Sequence, residues 1–193
     1  MMEDSEYDLI AEVKEDSAEQ FAYKEGYEFI NGIGAANQAE GILVNSDIGE
    51  NNSGSATLIT ADGMMDLWSS LKTGHARNAV FILKRTTIGA IRKLKDDNKQ
   101  YLWTPGIAGA VPNTILDSLY VEMPDMPSVG AGLYPVAYGN WKRGYIIADK
   151  VGVAYQTDYT TGADNGLVVI RGRKRVGGGV RQAEAIKKLK ISV

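Results

Sequence analysis

The sequence predicts an α+β chain, and three features of the residue order carry that expectation. A long proline-free stretch near the amino terminus favours helix. The middle mixes runs of helical period with short strand-like runs. The last third alternates apolar with small or polar residues, the period of two that a half-buried strand requires. With 193 residues, 44% of them hydrophobic and 23% charged, the chain is long enough to bury a core as one compact unit or two small subdomains.

Residues from about Ser5 to Ile30 read as one helix of about 40 Å, longer than a compact domain of this size needs. Asp4 or Ser5 caps it, Glu6 and Asp8 suit the dipole of its first turn, and Asn31-Gly32 stops it. Its stripe of Ile10, Val13, Ser17, Phe21 and Lys24 is only half apolar, so the helix is expected to lie along a surface as a spine. Residues 32–56, rich in Gly, Asn and Ser, read as a connector broken only by Gly41-Ile42-Leu43-Val44. Thr60 then caps a helix that places Met64, Leu67, Trp68 and Leu71 on one face and stops at Gly74.

Ala79 to Leu83 reads as a buried strand. Thr86 caps a second helix, with Ile88, Ile91 and Leu94 inward and Arg92, Lys93 and Lys95 outward. From Tyr101 the chain turns to short strands interrupted by Pro105, Pro112, Pro124 and Pro127, the best being Leu119 to Met123 and Leu133 to Tyr138. Val151, Val153 and Tyr155 alternate with Gly152, Ala154 and Gln156 as a strand whose partner is Leu167 to Val176. The polar tip Asp158-Tyr159-Thr160-Thr161-Gly162-Ala163-Asp164-Asn165 joins them, longer than the tightest hairpin turns, so a long exposed ribbon is expected. Ala183 to Ile191 reads as a short basic helix or strand that returns to the α/β body.

Composition removes several classes of chemistry. Without cysteine there are no disulfides, thiolate metal sites or thiol nucleophiles. No apolar run approaches the roughly 20 residues of a membrane helix, and the acidic start is unlike a signal peptide, so no membrane contact and synthesis inside a cell are expected. The net charge of −3 is unevenly spread: residues 1–50 carry 13 acids against 2 bases, and residues 171–193 carry 8 bases against 1 acid. Such blocks either solvate a face or complement one another between neighbouring copies.

Motifs for catalysis are incomplete. Gly32-Ile33-Gly34-Ala35-Ala36-Asn37 starts like a dinucleotide fingerprint but lacks the third glycine and follows a helix instead of a strand. No Gly-Lys pair is present for a phosphate loop. Gly177-Gly178-Gly179 is expected to be a bend or a close backbone approach. His75, the single histidine, sits at the expected end of a helix, where it suits the dipole. Asp96-Asp97 lies among lysines and reads as solvated. No enzymatic activity, catalytic residue, cofactor or metal is therefore expected. Arg171, Arg173, Lys174 and Arg175, with Tyr155 or Tyr159 nearby, have the chemistry to meet nucleic acid, but the acidic chain favours protein contacts.

Four stretches in order resemble the tailed-phage major capsid family, whose fold was first known from the phage Hong Kong 97. They are Glu3-Asp4-Ser5 through Gly32 with Gly41-Ile42-Leu43; Asn78-Ala79 through Asp96 with Tyr101-Leu102-Trp103; Met123-Pro124 through Asn140 and on to Tyr145-Ile146-Ile147-Ala148-Asp149; and Arg173-Lys174-Arg175-Val176-Gly177-Gly178 with Glu184 to Leu189. The resemblance implies a peripheral domain of residues 1–35 and 148–176, built from the spine helix and the ribbon, and an axial domain of 36–147 and 177–193. Axial domains would surround five-fold and six-fold axes, with 104–112 as a loop near the axis, and the ribbon tips would meet at three-fold positions.

It implies a structural subunit of a phage or prophage shell, or a truncated fragment of one, in the virion capsid and assembled in the host bacterial cytoplasm. Its expected partners are other copies of itself, with portal or scaffold proteins and non-specific DNA contact further implied. Asp158, Tyr159, Thr160, Thr161, Asp164, Asn165, Arg171, Arg173 and Arg175 are the candidate subunit contacts. The alternatives are a prophage remnant that binds and interferes with capsid assembly, and an encapsulin-like compartment protein. Family members carry an arm and an extended loop ahead of the spine helix, whereas Met1-Met2 here almost adjoins it. This chain alone is accordingly expected to form monomers or small oligomers instead of closed shells.

Overall fold

A computed structural model describes residues 9–35, 37–96, 98–102, 114–161 and 163–193. Expectations for Asp4, Ser5, Glu6, Asp8, Ala36, Asp97, the 104–112 loop with its two prolines, and Gly162 lie outside the described residues. The first element is helix α1, Leu9–Asn31, about 34 Å long. It stops where Asn31-Gly32 predicts. The Gly32 amide donates to the Glu28 carbonyl at 2.8 Å, and a side chain at Gly32 would strike the Ala39 carbonyl. The expected stripe is corrected at two positions. Val13 is 44% exposed, and the Lys24 ammonium points to solvent beside Glu28. At 3.6 residues per turn both sit beside the line through Ser17, Phe21 and Glu25 that meets the ribbon.

That ribbon is longer than expected. Its strands, Tyr145–Asp158 and Val169–Val180, form a separate antiparallel pair. Gly177 to Gly179 are therefore strand residues and not a bend, while the close approach holds. A side chain at Gly178 would meet the Tyr145 hydroxyl and, at 2.8 Å, the Phe29 ring. Those two rings pack edge to face with centroids 5.9 Å apart. Further along, the Tyr155 hydroxyl donates to the Lys14 carbonyl at 2.9 Å and lies 2.8 Å from Ser17 Oγ. Gly172, opposite Tyr155, leaves room for that ring and for Phe21. Lys174 Nζ is 2.7 Å from Glu25 and 3.4 Å from Asp149. One face of the ribbon is thus fastened along α1.

The remaining elements build a six-stranded sheet. In chain order they are β1 (Gly49–Asn52), α2 (Ala61–Ser69), α3 (Thr73–Ala76), β2 (Val80–Leu83), α4 (Arg85–Arg92), β3 (Thr114–Ile115), β4 (Ser118–Glu122), β5 (Val136–Gly139), α5 (Trp141–Gly144), the ribbon strands β6 and β7, and β8 (Ile186–Lys190). The strand order is β1-β8-β5-β2-β4-β3, with β1–β8 and β2–β4 parallel. The 32–56 connector is corrected by β1, an edge strand of polar sequence. Gly41 to Val44 forms a turn that buries Ile42 and Leu43. The carboxy-terminal segment settles as strand β8 between β1 and β5 after a short 3₁₀ turn.

Thr60 caps α2 as expected, its Oγ1 accepting from the Gly63 amide at 3.0 Å. The helix ends at Ser69, ahead of Gly74, which lies in α3, and Trp68 is 45% exposed instead of inward. Thr86 is not a cap: Lys84 occupies that position without a side-chain bond, and α4 starts at Arg85. β3 and β4 join through Leu116-Asp117, both with positive φ (47° and 59°), as a type I′ hairpin turn needs.

Two hydrophobic clusters flank the sheet. One gathers Met64, Leu67, Phe81, Ile88, Tyr138 and Leu189 under α2 and α4. The other gathers Ile30, Ile42, Ile48, Met126, Ala137 and Ile186, and joins the end of α1 and Tyr145 to the sheet.

Candidate subunit-contact surface

The ribbon tip is shaped by one carboxylate. Asp158 Oδ1 accepts from the amides of Thr160 (2.9 Å) and Thr161 (3.0 Å), and Oδ2 accepts from the Thr161 hydroxyl at 2.7 Å. Arg171 Nη2 lies 3.6 Å from Oδ2. An Asp side chain that bonds to the backbone two residues on is a standard way to fix a turn. The Thr161 amide and hydroxyl, then the Thr160 amide and the Arg171 charge, outweigh desolvation and hold the Asp158 carboxyl down at about 2.

Because this folded-state pKa lies below the ordinary value of about 3.9, the tip's bonds are at full strength above about pH 4. They are lost as the pH falls through about 2. A carboxyl-carbon NMR titration of Asp158 should have its midpoint near 2, and a midpoint near the ordinary value would refute this geometry.

Beyond the carboxylate, Tyr159 is 66% exposed, Thr160 and Thr161 are exposed, and a 3₁₀ turn at Ala163–Asn165 leaves Asp164 and Asn165 exposed. Arg171, Arg173 and Arg175 alternate with Gly172 and Lys174, so they share the face of β7 turned away from α1, and all three are exposed. Lys150 stands opposite Arg175 in the register and joins this basic row. Sequence reasoning missed it, although the period of two would have placed it once the strand was extended back to Tyr145. Lys174, grouped in sequence with the arginines, faces the other way into Glu25 and Asp149.

Elsewhere the surface offers little for chemistry. A shallow hollow of about 700 Å³ is rimmed by Trp141, Lys142, Arg143 and Arg181, and an apolar one of about 300 Å³ by Met64, Met65, Leu94 and Leu102. Among the described residues no group of three or more His, Asp or Glu side chains gathers to hold a metal. His75 is buried in α3, with Nε2 3.9 Å from Glu184, which also takes the Lys72 ammonium. No described helix is long and apolar enough to cross a membrane.

The combination of a spine helix, an attached two-stranded ribbon and a mixed sheet has a counterpart in sequence comparison: the phage capsid family model matches residues 1–191. The chain belongs to the phage capsid family. Among solved structures it is similar to the capsid of an empty GTA particle at 29% identity and a TM-score of 0.89, covering 100% of this chain and 69% of that one. The capsid of the native GTA particle gives 28% identity and 0.89, covering 100% and 68%. A chain of Gordonia phage Cozz shares the fold at 11% identity and a TM-score of 0.69, covering 96% and 64%. No curated protein shows significant similarity.

The fold is therefore the Hong Kong 97-like capsid fold, and the chain is a structural subunit of a capsid shell that self-associates with its own copies. Family and neighbours alike indicate a structural role and a place in the virion capsid.

Proposed function

We propose that this shell subunit works through two parts. Residues 1–35 and 148–176 form a peripheral domain, and residues 36–147 and 177–193 form an axial one. The contacts to other copies are made by Asp158, Tyr159, Thr160, Thr161, Asp164 and Asn165 at the tip and by Arg171, Arg173 and Arg175 along β7. The observation that carries this reading is the ribbon's division of labour. One face is fastened to α1 through Tyr155 and Lys174, while the tip and the arginines are exposed and contribute to neither core. The role involves no catalytic step, cofactor or metal. Portal or scaffold proteins and packaged DNA are further partners, and assembly takes place in the host bacterial cytoplasm.

Replacing residues 159–168 by Asn-Gly, which joins the paired Asp158 and Val169 through a natural two-residue hairpin turn, tests the tip. The thermal midpoint should stay close to wild type, because none of the described residues of the removed segment belongs to either core, while the yield of oligomers or particles in micrographs should fall severalfold. An unchanged yield would remove the tip from the contact surface.

A further inference from the structure

The unit formed by α1 and the ribbon is electrically two-sided. Taking about 100° per residue, Ile10, Lys14, Ser17, Phe21 and Glu25 centre on the line that meets the ribbon. Glu12, Glu15, Asp16, Glu19 and Tyr23 centre on the opposite line. All five of the latter are exposed, and Tyr27 beside them is 50% exposed. The two lysines of the helix do not offset these acids. Lys14 lies over the Tyr155 ring on the ribbon side, and Lys24 pairs with Glu28. The outer face of α1 thus carries four carboxylates. The outer face of the ribbon carries Lys150, Arg171, Arg173 and Arg175, with Asp158 paired to Arg171 at the tip end. Arg173 and Arg175 have no carboxylate within 4 Å among the described residues.

The spacings of the two faces also correspond. Alternate residues of a strand lie about 6.8 Å apart, and Glu12 and Asp16, one helical turn apart, lie about 6 Å apart along the axis. Arginine side chains absorb the difference.

We infer that the basic outer face of the ribbon in one copy docks on the acidic outer face of α1 in a neighbouring copy. This deepens the subunit-contact reading above and rests on it. Because the two faces belong to the same unit and differ from each other, the contact is head-to-tail and repeats from copy to copy, as a ring or shell lattice requires. Exposed charges set register and partner choice more than affinity, and Tyr23 and Tyr27 add apolar area beside the acids. The interaction weakens as salt shortens the screening length to about 3 Å near 1 M.

The test uses two charge reversals of the whole chain, mixed and unmixed, in sedimentation velocity at low and high salt. One variant carries Arg171→Glu, Arg173→Glu and Arg175→Glu; the other carries Glu12→Lys, Asp16→Lys and Glu19→Lys. Each reversal alone puts like charges on both faces, so self-association at low salt should weaken by about tenfold or more. A 1:1 mixture presents acidic ribbon to basic helix and basic ribbon to acidic helix, and should restore association to near the wild-type level. That recovery also shows that both variants are folded. A mixture no more associated than either variant alone, or single variants that associate as wild type does, would overturn the docking. So would an arginine-reversal variant that loses only DNA binding. If the Asn-Gly tip replacement abolishes association while the reversals leave it intact, the tip reading stands and the face-to-face pairing falls. The opposite pattern supports the pairing and removes the tip.

Discussion

Lys188→Met should lower stability by about 2–4 kcal/mol in urea unfolding. Lys188 lies on the inner strand β8 with its side chain 2% exposed, a setting in which lysine is rare unless its charge is met. Its ammonium has three hydrogens. They are directed at the Leu43 and Asn45 carbonyls, each 3.0 Å away, and at Glu50 Oε1, 3.2 Å away, while the Tyr134 ring lies 4.5 Å off. The lysine thereby pins the 41–48 turn, with Ile42, Leu43 and Ile48, onto the sheet. Methionine keeps the length and most of the volume, so packing is largely retained and the loss is polar.

The buried Leu43 carbonyl and the half-buried Asn45 carbonyl then lose this donor. Glu50 fares better, since it keeps the Tyr134 hydroxyl at 2.6 Å and Lys190 at 3.5 Å and is 36% exposed. A second readout separates this cause from simple repacking. Burial raises the Glu50 pKa, but hydrogen bonds from Tyr134 and Lys188 outweigh it and leave the group below its ordinary value. Removing Lys188 should move Glu50 upward. Its folded-state pKa is depressed, so its stabilising contribution is present above the unfolded pKa and lost as pH falls through the folded one. The variant should therefore show less acid-dependent loss of stability around pH 4. An unfolding midpoint equal to wild type would show that the turn is held by its apolar side chains alone.

Elements defined by side-chain period were legible in the sequence, and those defined by pairing were not. α1, α2, β2 and the ribbon follow from residues whose own spacing states their environment. β1 did not, because Gly49-Glu50-Asn51-Asn52 carries no apolar alternation and is a strand only because β8 offers it a parallel edge. β8 remained open between helix and strand, since a run with Lys187, Lys188 and Lys190 gives no hint that Lys188 is buried against carbonyls 145 and 143 residues away.

The Thr86 cap failed for a related reason, while the Thr60 cap held. Thr60 and Thr86 look alike in sequence, but the Thr86 side chain is directed across to Ser128, 3.5 Å away, and α4 starts from the strand end at Arg85 without a side-chain cap. At the candidate contact surface the arginines were legible as a group. That Lys174 belongs to the opposite face, and Lys150 to theirs, follows only from the β6–β7 register.

Phe81→Ala should destabilise the sheet by about 3–5 kcal/mol, the usual range for emptying a buried aromatic site. Phe81 is wholly buried on β2, between β5 and β4, and its ring stacks on Tyr138 with centroids 4.2 Å apart at an interplanar angle of 26°. Tyr138 is in turn held 3.0 Å from the Ser118 hydroxyl, so it cannot swing into the vacated space without giving up that bond. The cavity therefore stays largely open. The ribbon and α1 meet each other through Phe29, Tyr145, Tyr155 and Lys174, and reach the sheet through the other cluster.

If they form a peripheral unit of their own, native-state hydrogen exchange of Phe81→Ala should speed up in β2, β4, β5 and β8. Amides of Ala154 to Asp158 and Val169 to Arg173 should change little, because they open by a smaller, local reaction that does not involve the vacated site. Equal acceleration throughout the chain would show that ribbon and sheet unfold as a single cooperative unit, and the division into peripheral and axial domains would then have no energetic counterpart.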